Sequence, residues 1–156
     1  MLYYLLTFLI SMVPVIELRG AIPIGYYAFD LPIVPVVVLS ILGNLLPVPF
    51  LIVFGGKVLR WLAKFPKFGK PFRWILSLGE KKAAKMHKTL FWGLFLFVAI
   101  PLPGTGAWTG SLIAITLKQD LKHSFLPITL GVLGAGAIIL TLFYLAPEAF
   151  RALVGR

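Results

Sequence analysis

The chain has 156 residues, 60% of them hydrophobic and only 13% charged, with a formal net charge of +10 and no cysteine. A soluble domain of this size carries about 25% charged residues and cannot hide so much Val, Ile, Leu and Phe, which excludes an ordinary soluble enzyme, a disordered chain and a collagen-like one. The mean hydropathy of +0.98 is that of an integral membrane protein, and the lack of cysteine rules out a disulfide frame or a thiolate metal site.

The first apolar segment, residues 1–29, is interrupted by Glu17 and Arg19, with Pro14, Gly20, Pro23 and Gly25 around that pair. Proline removes a helix hydrogen bond and glycine weakens a helix, so the segment reads as a broken, re-entrant hairpin. Residues 31–56 carry no charge. At about 1.5 Å per residue, a helix of that length crosses a bilayer core of about 30 Å with tilt. Asp30 predicts its N-cap, and Pro47 and Pro49 predict a kink. Residues 57–88 hold ten of the 15 basic residues and one acid, Glu80. Lys57, Arg60 and Lys64, at i, i+3 and i+7, lie among Val58, Leu59, Trp61 and Leu62. This pattern suits basic amphipathic helices in the headgroup layer, touching anionic lipid on the cytoplasmic side; a solvated positive loop fits the same residues. The flanking charge-free runs and the lack of an aromatic-basic binding fold argue against nucleic acid as a partner.

The third segment, 89–117, has no Asp, Glu, Lys or Arg and crowds Pro101, Pro103, Gly104, Gly106 and Gly110 together. It reads as a second broken hairpin, because bare backbone at membrane depth is tolerated only inside protein or beside a water-filled cavity. Residues 124–147 form the second span, with Ser124 as predicted N-cap, Pro127 in the first turn, and Gly131, Gly134 and Gly136 as a small-residue packing face.

The fold class is therefore an all-α integral membrane protein, a single membrane domain over 1–156. Two pseudo-symmetric halves, 1–56 and 89–147, each place a re-entrant hairpin before a transmembrane helix. The basic connector 57–88 joins them and 148–156 is a tail. Gly20-Ala21 pairs with Gly106-Ala107 in this scheme, and Gly43 with Gly131 or Gly134. Paired Gly/Pro-interrupted segments in two halves point to a transporter site near the bilayer midplane. So few spans make a homo-oligomer plausible. The positive-inside rule is blind to the choice between two hairpins plus two spans and four full spans, since both put the same number of basic residues on each side.

Three motifs occur in order: E-L-R-G-A-I-P from Glu17 to Pro23, G-N-L-L-P-V-P from Gly43 to Pro49, and P-L-P-G-T-G-A-W-T-G-S from Pro101 to Ser111. Together they resemble the small multi-drug export protein family over nearly the whole chain. That family resembles a distant branch of the DedA superfamily, with its two re-entrant hairpins. The resemblance implies a prokaryotic plasma membrane, and proton-coupled transport or lipid translocation as activities. It places the acid of the first re-entrant motif at Glu17 and the adjacent base at Arg19. The second DedA hairpin usually carries an arginine near its proline-glycine, whereas here Thr105 follows Pro103-Gly104.

Glu17 is the leading candidate, because an ionisable group inside a bilayer is costly and marks function by default. A carboxylic acid in that setting, beside the base Arg19, is suited to taking and releasing a proton. A structural ion pair sealing the hairpin is the alternative. Arg19 suits an anionic headgroup, or else neutralises Glu17 and satisfies broken-helix carbonyls. Pro103, Gly104, Thr105, Gly106 and Thr109 offer backbone groups and hydroxyls to a ligand, or form a tight turn where hairpin tips meet. Asn44 is an amide in a charge-free span and needs a partner, either facing Glu17 or across a helix contact. Trp108 reads as packing or as an interfacial belt residue. No residue spacing suggests a metal, a cofactor or a hydrolytic set. The reading is a non-enzymatic, proton-coupled secondary transporter of a small or amphipathic substrate, using a polar site between the hairpins. The alternatives are a lipid flippase or scramblase, and a membrane scaffold.

Overall fold

The computed structural model describes residues 1–65, 69–70, 73, 87–102, 104–145 and 148. Most of the connector after Phe65 and nearly all of the tail lie outside the described residues. The described elements are all helical: α1 (Leu2–Ser11), α2 (Glu17–Pro23) running into a π-helical turn (Ile24–Ala28), α3 (Ile33–Leu45), α4 (Pro47–Leu62), α5 (His87–Ala99), α6 (Ala107–Thr116) and α7 (Leu121–Leu145).

Two apolar helical runs are long enough to cross a membrane, Ile33–Leu62 and Leu121–Leu145, with 30 and 25 residues. The first is α3 and α4 in sequence. Helical dihedrals continue through Leu46 (φ −57°, ψ −45°). Pro47 opens α4, where its missing N–H interrupts the hydrogen-bond ladder. This span reaches further than the charge-free run. Lys57 and Arg60 ride exposed on the last turns of α4, so the connector begins on a helix already formed.

The breaks fall where backbone chemistry demands them. Pro14 follows α1, and Val15 (φ 77°) and Glu17 (φ 49°) take left-handed backbone that side chains rarely adopt. Gly104 (φ 80°) does the same between α5 and α6. Pro23 lacks an N–H inside α2, and the helix widens there into the π turn. Asp30 (φ 52°) and Lys118 (φ 54°) hold the turns before the two long helices. Neither predicted cap forms. Pro32 occupies the N-cap position of α3 with no side-chain cap bond. Asp120, rather than Ser124, caps α7, its Oδ1 accepting the His123 N–H at 3.0 Å. Ser124 is fully buried instead.

Contacts set the helix directions. Tyr3 stacks on Phe29 at 4.9 Å and Gly25 abuts Thr7, so α1 and α2 run antiparallel. Phe8 and Ser11 press on Gly43, further along, so α1 and α3 run parallel. A Cβ at Gly43 would overlap the Phe8 carbonyl and the Ser11 hydroxyl. Gly110 meets Val98, while Ala114 packs with Leu90 and Leu94, so α5 and α6 run antiparallel. Leu90 and Phe91 lie beside Lys122 and Leu126, and Phe95 and Val98 press on Gly131, so α5 and α7 run parallel. A Cβ at Gly131 would sit 2.9 Å from the Phe95 carbonyl oxygen. Between halves, Gly136 meets Val37 and Ile41, and Tyr26 meets Phe143 at 4.8 Å, which sets α3 and α7 antiparallel.

The core lies where α2, α3, α6 and α7 converge: Leu18, Ile22, Val36, Ala107, Ile128 and Val132 are fully buried there. Large apolar side chains such as Leu42, Phe50, Phe54, Leu126 and Leu133 point outward, the arrangement of a helical body solvated by lipid.

Candidate functional site

Glu17, the first residue of α2, is 5% exposed. Its Oε2 accepts from Arg19 Nη1 at 2.8 Å, and its Oε1 accepts the backbone N–H of Trp108 at 3.0 Å. Trp108 is the second residue of α6, so this N–H is one of the donors every helix leaves unpaired at its start. The N-cap position of α6 is Gly106, which has no side chain to fill that role. A Cβ there would overlap the Glu17 carboxylate. A carboxylate from the other end of the sequence therefore caps α6, where the helix dipole also favours negative charge.

Arg19 performs the complementary task at the end of α5. Its Nη2 donates to the carbonyls of Val98 (3.2 Å) and Ile100 (3.0 Å) and to Thr105 Oγ1 (3.2 Å). Helix C-termini leave carbonyls unpaired and favour a cation. The Thr105 hydroxyl lies 2.7 Å from the Ile100 carbonyl oxygen and 2.9 Å from that of Leu102, so it ties the break to itself. Contact is returned from the other direction. Trp108 Nε1 donates to the Met12 carbonyl at 3.0 Å, at the end of α1. Each hairpin thus supplies a side-chain donor to the carbonyls that end the other's first helix.

These groups line a cleft of about 650 Å³ whose walls include Pro14, Val15, Ile16, Leu112 and Ile139, with Glu17, Arg19, Gly104, Trp108 and Thr109 among them. Apolar walls around one paired charge make a low-dielectric site in which removing one partner of the pair is heavily penalised.

The structure brings together Glu17, Arg19, Gly104, Thr105, Gly106 and Thr109. Pro103 lies outside the described residues. Asn44 is fully buried on α3 but does not line this cleft. Trp108 is the participant that sequence reasoning missed. Its indole N–H, inside an apolar segment and next to a break, was the available signal, since a buried donor needs an acceptor. No cluster of His, Asp and Glu able to hold a metal occurs among the described residues.

The family model described as "Putative small multi-drug export protein" matches residues 17–138, from the Glu17 cap well into α7. No curated protein and no solved structure matches the chain.

Proposed function

The chain belongs to the small multi-drug export protein family, and from that premise we propose a secondary transporter in which Glu17 carries a proton and governs the contact between two re-entrant hairpins. The observation that carries this is the double grip of one carboxylate. Its charge holds Arg19, and through Arg19 the end of α5, while its other oxygen holds the start of α6. Protonation removes the charge that holds Arg19 and weakens the acceptor that holds the start of α6. The hairpins then part, the cleft opens, and a small or amphipathic substrate enters; loss of the proton on the other side closes it. This is alternating access with the titrating group at the point of contact.

Several observations support the re-entrant, duplicated architecture within this proposal. Helices α1 and α6 have ten residues each, about 15 Å or half the bilayer core. Each hairpin goes in and returns before its long helix crosses. Gly43 receives Phe8 and Ser11 as Gly131 receives Phe95 and Val98. The pairing of Gly20 shifts accordingly: counted from the start of α2 and α6, Gly20 matches Gly110, not Gly106. In this orientation residues 57–88, Lys118 and Lys122 face the cytoplasm, and the start of α1 and the end of α7 face outward. The paired hairpins also support kinship with the DedA superfamily.

The test is uptake of ethidium into proteoliposomes under an imposed pH gradient. Wild type is expected to accumulate dye with the gradient and Glu17→Gln to lose the pH dependence, with Glu17→Asp intermediate. Gradient-driven uptake that survives in Glu17→Gln overturns the reading. Dithionite quenching of labelled lipid in the same vesicles, fast without any gradient, would replace it with lipid scrambling.

A further inference from the structure

The cleft accounts for Glu17 and Arg19 but leaves a second set of buried polar groups unused. Ser40 and Asn44 sit one helical turn apart on the inward face of α3, both fully buried. Ser40 Oγ and both amide atoms of Asn44, Oδ1 and Nδ2, have no hydrogen-bond partner in the protein. Thr7 and Ser11, likewise one turn apart and fully buried, occupy the neighbouring α1. Their hydroxyls donate to the Tyr3 and Phe8 carbonyls at 2.8 and 2.7 Å, which leaves the lone pairs of each oxygen to accept. Helices α1 and α3 run parallel and meet along a seam that includes Thr7 and Ser11, and Ser40 and Asn44 are buried on the same α3. Thr7 stands at the level of Gly25 and Val36, and Ser11 at the level of Gly43.

Three unpartnered polar atoms in a membrane core are expensive when dry, and two to four polar neighbours are what a buried water requires. The seam also ends at a meaningful place. Ser11 is the last residue of α1, and the next carbonyl, that of Met12, is held by the same Trp108 whose backbone N–H holds Glu17.

We propose that Thr7, Ser11, Ser40 and Asn44 form a water-binding column that delivers protons to Glu17 from the face where α1 begins. The delivery role rests on the reading of Glu17 as proton carrier; the water site does not. Hydroxyl and amide groups can both donate and accept, so waters held between them can pass a proton without any side chain ionising. Arg19 is the charged group that faces Glu17. Helix α1 adds only Tyr3 and Tyr4, and α3 and α6 contribute no titratable group.

Asn44 is the only asparagine in the chain, which makes the water site directly observable. Protein labelled with ¹⁵N-asparagine, in phosphatidylethanolamine/phosphatidylglycerol bilayers, gives one side-chain amide and one backbone amide by solid-state NMR. Magnetisation transferred from water is expected to reach the Asn44 side-chain amide well before the helix-bonded backbone amide of the same residue. Equal, slow build-up at both overturns the water site. Delivery is tested in the ethidium proteoliposomes, with internal pyranine reporting proton movement. Ser40→Ala and Asn44→Leu are each expected to slow the coupled proton flux at least tenfold, with thermal midpoints at or above wild type. Asn44→Ser is expected to restore most of it. Unchanged flux in both variants, with Glu17→Gln still inactive, overturns delivery alone. Flux that survives Glu17→Gln overturns the carrier reading, and the NMR result then stands or falls by itself.

Discussion

One carboxylate caps a helix 91 residues away in sequence, and that makes its neighbours unusually sensitive. Gly106→Ala places a methyl group in the space of the Glu17 carboxylate, so it is expected to break the cap and abolish coupled transport although the position carries no chemistry. Dye uptake at matched protein density in the vesicles checks this. Glu17→Gln keeps an oxygen for the Trp108 N–H but leaves Arg19 without its anion. The expected loss is about 3 kcal/mol, the low end for a broken buried pair because Arg19 is partly open to the cleft. The double variant Glu17→Gln/Arg19→Gln should lose less than the sum of its parts, as a thermal-denaturation double-mutant cycle would show. Trp108→Phe keeps the backbone cap and loses only the bond to Met12, about 1 kcal/mol. The acid and base of this site were legible in the sequence because charge in an apolar segment stands out. Their partners were not, since Val98, Ile100 and Met12 contribute carbonyl oxygens, which every residue has.

The breaks in the helices were legible because Pro14, Pro101 and Gly104 act on the backbone directly. The caps were not. Asp30 and Ser124 have the chemistry of N-caps, but Asp30 is in left-handed backbone and Ser124 is packed into the core. Asp120 takes the role at α7, and its carboxyl is held below its ordinary value by the hydrogen bond with the His123 side chain, at 2.5 Å, and then by the His123 backbone N–H. A depressed carboxylate stabilises the fold above its unfolded pKa of about 3.9 and stops doing so as pH falls through the lower folded value. Asp120→Asn should therefore lower the melting temperature modestly at neutral pH and flatten the acid side of the profile, the two proteins converging below about pH 4 as the wild-type carboxylate is protonated. Close helix contact is set by Gly43, where any side chain meets the rigid Phe8 carbonyl. Gly43→Ala should cost about 1–3 kcal/mol, as overpacking does, and separate α1 from α3.

At the scale of the molecule, composition alone pointed to a membrane protein, and the two sets of breaks on which the proposed duplication rests were visible as Pro/Gly clusters. The register of that proposed pairing was not, because Gly20 and Gly106 look alike in sequence yet sit at different positions relative to their helices. The proposed orientation puts the chain's end on the face opposite the basic connector. A reporter fused after Arg156 should be active outside the cytoplasm, and one inserted near Lys81 inside; a cytoplasmic result after Arg156 would require four full crossings. The half-length of α1 and α6 has a further electrical meaning. In this orientation the tip where Glu17 sits is roughly midway through the insulating layer, so a proton arriving from either face traverses about half the membrane voltage. Moving a unit charge through 100 mV is worth about 2.3 kcal/mol, and half of that, about 1.2 kcal/mol, changes occupancy of the carboxylate about sevenfold. The protein would then answer to voltage as well as to pH, with no charged helix moving across the bilayer.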